Sequence, residues 1–225
     1  LKLPATCRSM LTQQHRMVPA IGDLVSSVFY EGQLQSVGTT AIPKALSQAM
    51  PKPIVWYSTS KEQQRFEQSS RSSWINLLEV SWVRQILDRL NFWARAAAGS
   101  RSENTQLLRV AVLTGYSAQR WQLDSALSGD RREFLDVEVH SIDAYQGKEA
   151  DFVVLSITRS NKTNQPGFLR ERERINVALS RAKFGLCLVG DADFCHHVAS
   201  GSPLSEVYSY IKAHPETCHF QEGIK

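Results

Sequence analysis

Residues 139–160 read VHSIDAYQGKEADFVVLSITRS, and residues 170–183 read RERERINVALSRAK. In the first stretch a polar Gln-Gly-Lys-Glu turn leads straight into the apolar run Phe152–Ile157. That run is too short for a helix and is bounded by polar residues, so it reads as a buried strand. In the second stretch Ile175, Ala178 and Leu179 share one helical face. The spacing predicts a helix over Glu171–Ser180, after which Gly185–Gly190 is again an apolar run. Buried strands alternating with helices indicate a parallel sheet covered on both faces.

The alternation continues outward. Arg109–Thr114 and Asp136–His140 are further strand candidates, separated by a helical stretch over Ala118–Leu127. Ile75, Leu78, Trp82, Val83, Ile86, Leu87 and Leu90 predict a longer helix with a broad apolar face. Before it, Ser58–Ser73 reads as loop and Ile54–Tyr57 as a short strand. Near the start, Pro19 opens a helix whose apolar residues Ile21, Leu24, Val25, Val28 and Phe29 form one stripe, and Gly32 stops it. Ala96–Gln106 is the most linker-like segment. Right-handed crossovers then leave a doubly wound α/β domain, with its functional loops expected past the carboxyl ends of the strands. Trp56, Trp74, Trp82 and Trp121 are assigned to the core.

A length of 225 residues suits one domain. It is taken as residues 1–225, with the informative motifs in about 9–194 and a helical tail over 195–225. Apolar and charged fractions of 42% and 21% exclude a disordered chain. The net charge of +4 permits a nucleic-acid partner without demanding one. No apolar stretch reaches the roughly 20 residues of a membrane span, and LKLPATCRSML is no secretory signal, so no membrane partner is expected. The missing initiator Met points to a piece of a longer polypeptide. Cys7, Cys187, Cys195 and Cys218 are scattered, which fits a reducing, cytoplasmic compartment. Cys195-His196-His197 and Cys218-His219 lack the spacers of a zinc site. They read as surface histidines with partly buried thiols, and no metal ligand is assigned.

Four segments, in order, resemble the second RecA-like domain of superfamily 1 helicases, within the group that contains the up-frameshift RNA helicase. They are LTQQHRMVPAIGDLVSSVFYEGQL from Leu11, VAVLTGYSAQ from Val110, the stretch from Val139, and RINVALSRAKFGLCLVGD from Arg174. Asn76 with Glu79 is a weaker fifth match. The resemblance implies a three-layer RecA-like fold, the fold of P-loop NTPases, with a mainly parallel sheet flanked by helices. The chain has no GxxxxGK[ST] phosphate loop of its own.

The resemblance also implies roles. Arg16 and Arg181 are expected to neutralise charge on the γ-phosphate of ATP, a task an arginine fork performs well. Composition alone would leave both as surface arginines; the motifs single them out. Glu149, after the Gly147 turn, is expected at the ribose. His15 is expected at the adenine, where the family usually has tyrosine, and Gln146 at the junction between the nucleotide and nucleic-acid sites. Thr114, Ser141 and Asp143 match positions at the strand backbone, and Tyr116 could pack on a base or sugar. Gly115 stands where proline is common, which should loosen that loop. The basic run Arg159–Lys183 reads as solvated surface or as a face toward nucleic acid or the missing lobe.

The implied cofactors are ATP and Mg2+, the latter held mainly by an N-terminal RecA-like domain of the same polypeptide. The implied partners are that domain and single-stranded DNA or RNA. A non-catalytic binding module that kept the fold is the alternative.

Overall fold

The computed structural model describes residues 12–38, 41–99, 106–129, 132–198 and 201–224. Cys7, Leu11 and residues 100–105 of the expected linker lie outside these. In chain order the elements are β1 (Gln13–Gln14), α1 (Pro19–Phe29), β2 (Gln35–Ser36), α2 (Lys44–Ala49), β3 (Ile54–Ser58), β4 (Gln68–Ser70), β5 (Ser73–Ile75), α3 (Leu77–Ala98), β6 (Leu108–Thr114), α4 (Ser117–Leu127), β7 (Leu135–Ser141), β8 (Ala150–Ser156), α5 (Arg172–Leu179), β9 (Ala182–Gly190), α6 (Pro203–Ala213) and β10 (Cys218–Glu222).

Six strands form one sheet in the order β10-β3-β9-β8-β6-β7, and every pairing in it is parallel. Successive side chains of a strand point to opposite faces, and the core divides accordingly. Ala111, Leu113, Val153, Leu155, Leu186 and Leu188 pack with α1, α5 and α6. Val110, Val112, Phe152, Val154, Cys187 and Val189 pack with α2, α3 and α4. This is the expected α/β three-layer RecA-like architecture. Among the described residues, no helix is long and apolar enough to cross a membrane.

Several expectations are corrected. Ser58–Ser73 is not all loop: β4 and β5 make an antiparallel hairpin at its end. The helix predicted from Ile75 begins at Leu77, capped by the Asn76 side chain, and continues to Ala98, into the expected linker. The tail is not only helical, because β10 adds a parallel edge strand beside β3. β7 is an edge strand with only Leu135 buried, since Asp136 and Glu138 alternate with its valines. Trp121 is 60% exposed, whereas Trp56 and Trp82 are buried as expected, and Trp74 is only half-buried. The Cys195 and Cys218 thiols are buried rather than partly so.

Candidate functional site

Proline at the first turn of α1 supplies a preset helical φ, and the chain before it folds into a tight loop around Gln14. The Gln14 amide oxygen accepts the N–H groups of Arg16 and Met17, while its nitrogen donates to the Met17 carbonyl and to Ser36 Oγ. The Val18 N–H then donates to the Lys183 carbonyl at 2.8 Å, which docks this loop on the start of β9. Gln14 is a positioning residue that sequence reasoning missed, although it lies inside the quoted motif.

The docking brings the predicted nucleotide residues together. Arg16 Nε donates to Glu149 Oε2 at 2.9 Å, and Arg16 Nη1 donates to the Ser180 carbonyl at 3.0 Å. Arg181 Nη2 donates to Ser180 Oγ at 3.0 Å, with Nε on the Val177 carbonyl and Nη1 on the Lys148 carbonyl. Glu149 precedes β8 and Arg181 precedes β9. These are neighbouring strands whose first residues, Ala150 and Ala182, pair in register. Gly147 has φ +86°, a left-handed turn that suits glycine, and it sends the chain from the exposed Gln146 into Glu149. An open cleft of about 790 Å³ lies here, lined by His15, Arg16, Tyr30, Glu149, Ser180 and Arg181 among others. His15 is exposed at this cleft.

The cleft is strongly charged. Partial burial would raise the Glu149 pKa, but the Arg16 hydrogen bond and the Lys183 and Arg16 charges outweigh it and hold the carboxyl below its ordinary range. Lys183 Nζ, also missed by sequence reasoning, is 3.7 Å from Glu149 Oε1. Burial, with the neighbouring Arg16 guanidinium, lowers the pKa of Arg181.

All three groups sit at the amino ends of β8 and β9, not past the carboxyl ends as expected. The other predicted residues lie at the opposite end. Thr114, Ser141 and Ser156 are level with one another at the carboxyl ends of β6, β7 and β8. Seven-residue strands put the two groups roughly 20 Å apart. Residues 142–149 run back between them. The Ile142 N–H donates to the Thr114 carbonyl, and the Tyr145 hydroxyl donates to the Glu149 carbonyl.

At the carboxyl end, Ser141 is half-buried and Asp143 is exposed, with Asp143 Oδ1 3.0 Å from Arg174 Nε. The Thr114 side chain is fully buried, its Oγ1 3.0 Å from Thr158 Oγ1, so it does not present a hydroxyl at the surface. Tyr116 is half-buried, edge-on to Phe168 at 5.7 Å, and its hydroxyl accepts the Phe168 N–H. Gly115, expected to loosen this loop, sits against the Phe168 ring. A Cβ there would lie 2.2 Å from the Phe168 ring, so glycine permits close packing.

A family model described as an AAA domain matches residues 2–193. The chain belongs to that family. This AAA-family chain is 33% identical over 198 residues to the regulator of nonsense transcripts 1 homolog of Neurospora crassa, an overlap of 83% of the chain and 17% of that protein. It is 32% identical over 193 residues to the ATP-dependent helicase NAM7 of Saccharomyces cerevisiae, covering 80% of the chain and 18% of NAM7. A solved C-terminal domain of a possible DNA helicase from Lactobacillus plantarum aligns with TM-score 0.44 and 17% identity, over 79% of the chain and 88% of that domain. The AAA-family chain thus spans less than one fifth of the length of these two curated relatives. The helicase resemblance read from its motifs is borne out as homology.

Proposed function

We propose that this chain is the second motor lobe of an ATP-dependent helicase or translocase acting on single-stranded DNA or RNA. The observation that carries the reading is the convergence of Arg16, Glu149 and Arg181 in one open cleft, with His15 exposed beside them. The donor set suits ATP: two guanidiniums for phosphate oxygens, a carboxylate for ribose hydroxyls and an exposed ring for the base. Arg16 and Arg181 stabilise the charge that grows on the γ-phosphate oxygens as the bond to the leaving group breaks. The phosphate cradle and the water-orienting group come from the first lobe, which closes against this face.

Among the described residues, no group of three or more His, Cys, Asp or Glu is placed to hold a metal ion. In this reading Mg2+ is held by the first lobe.

Nucleic acid lies along the opposite end of the sheet, where Ser141, Asp143 and Tyr116 meet the strand and Thr114 acts from below as support. Residues 142–149 join the two ends, so closure on nucleotide at Glu149 displaces the chain that leads to Ser141. Such a link converts a nucleotide-biased conformational cycle into strand movement.

The test is ATP turnover by the full-length protein with and without an oligo-dT or oligo-rU strand, beside the chain of residues 1–225 alone. The expected result is strand-stimulated turnover by the full-length protein and none by the chain alone. Turnover by the chain alone that Arg181→Ala leaves unchanged would contradict the reading. The relative stimulation by the two strands sorts DNA from RNA.

A further inference from the structure

Asn76 and Glu79 match the family pattern but lie in neither the cleft nor the surface assigned to nucleic acid. Both are fully buried. Asn76 caps α3, its Oδ1 accepting the Glu79 N–H at 3.2 Å, and its Nδ2 donates to the Arg65 and Thr158 carbonyls. Its own N–H donates to Gln119 Oε1, and Gln119 Nε2 donates to Ser156 Oγ at 2.9 Å. Glu79 accepts from Ser156 Oγ at 2.6 Å and takes the Thr158 N–H on both carboxylate oxygens, at 2.9 and 2.8 Å.

The residue so gripped is unusual. Thr158 has φ +71°. A β-branched residue in the left-handed region is strained, and it persists only where its surroundings hold it. Its turn ends the β8 stretch and starts the loop that covers Tyr116. Arg159, 3.1 Å from the buried Glu67, lies over the Trp74 and Tyr116 rings at 4.8 and 5.7 Å. Arg159 Nη2 donates to the Gln165 carbonyl, and the Phe168 N–H donates to the Tyr116 hydroxyl.

We propose that Glu79 is a positioning residue for the nucleic-acid face: it holds Thr158 in its left-handed turn and so sets the loop 159–168 against Tyr116. This inference rests on the reading that Tyr116 and Ser141 meet a strand. Glu79 touches neither nucleotide nor strand. It acts through Thr158, which makes the backbone of that one residue the place to intervene. Glycine at 158 adopts the turn without strain and should no longer need the carboxylate.

The experiment uses the full-length protein and oligo-dT or oligo-rU at about pH 9, where Glu79 is ionised and glutamine removes its charge, reading the strand concentration that half-saturates ATP turnover. Glu79→Gln is expected to raise that concentration about ten-fold, with a smaller change in turnover at saturating strand. It should also speed amide exchange across residues 159–168. Adding Thr158→Gly to Glu79→Gln is expected to restore both readouts. Adding Thr158→Ala, which removes the same hydroxyl but keeps the strain, is not.

Equal losses for strand and ATP with no rescue by glycine would mean a merely structural carboxylate and overturn the inference, as would an unchanged half-saturating concentration. If Glu79→Gln alone does not accumulate folded, accumulation of the glycine double variant supports the inference, and its failure overturns it. A wild-type protein indifferent to the strand overturns the strand reading itself, and the inference with it.

Discussion

Arg16 and Glu149, 133 positions apart in the chain, are joined by a 2.9 Å bond from Nε to Oε2. Both side chains are about one-third exposed, at 33% and 38%. An ion pair this open contributes at most about 1 kcal/mol to stability. The Arg16 loop is held instead by the Gln14 side chain within it and by the main-chain bond from Val18 to Lys183 at the start of β9. In the proposed reading the pair is exchanged for a ligand, with Arg16 turning to phosphate and Glu149 to ribose.

Glu149→Gln should accordingly leave the melting temperature nearly unchanged at neutral pH while raising the KM for ATP about ten-fold. It should also narrow the preference for ATP over its 2′-deoxy analogue. The Glu149 pKa is lowered in the fold, so its small contribution is present above its unfolded value and is lost only as pH falls through the lowered one. Steady-state kinetics with both nucleotides checks this; an undiminished preference for the ribose form removes Glu149 from that role.

Glu79 behaves oppositely. Burial raises its pKa to about 8, despite the Ser156 and Thr158 hydrogen bonds, with the Asp191 and Glu67 charges adding to the rise. The folded state thus keeps a proton that the unfolded chain loses near 4.5. The stabilisation is full below the unfolded value and disappears as pH rises through about 8. The melting temperature of wild type relative to Glu79→Gln should fall steadily across that window. Scanning calorimetry of the two proteins decides it, and a constant difference would show that Glu79 is ionised throughout.

Gly115→Ala places a methyl group 2.2 Å from the Phe168 ring. Overpacking of this kind costs about 1–3 kcal/mol. Chemical denaturation should show that loss, and Phe168→Leu should relieve most of it by shortening the obstacle. If the alanine variant is as stable as wild type, the loop is looser than the packing of Tyr116 on Phe168 implies.

How far the sequence could be read depended on burial. Strands covered on both faces, such as Phe152–Ser156 and Leu186–Gly190, announce themselves as apolar runs. Strands at a sheet edge do not: Cys218–Glu222 alternates Cys218 and Phe220 on the core with the half-buried polar His219 and Gln221. The β4–β5 hairpin escaped notice because it is short and rich in serine. Trp121 defied its residue type, since the apolar face of α4 is built from Leu123 and Leu127.

At the site, the motifs pointed to Arg16, Glu149 and Arg181, which the structure brings into one cleft. Motif spacing carried no information about which end of the sheet they occupy. That depends on the path of residues 142–149 back across the sheet, which only the pairing register reveals. Nor could spacing foretell that Thr114 turns its hydroxyl inward to Thr158.

Single-turnover ATP hydrolysis by full-length Arg181→Ala decides whether Arg181 completes the proposed ATP site between two lobes. A loss of about 10³-fold or more in the chemical step is expected, with strand affinity and melting temperature close to wild type. Hydrolysis within a few-fold of wild type would contradict it.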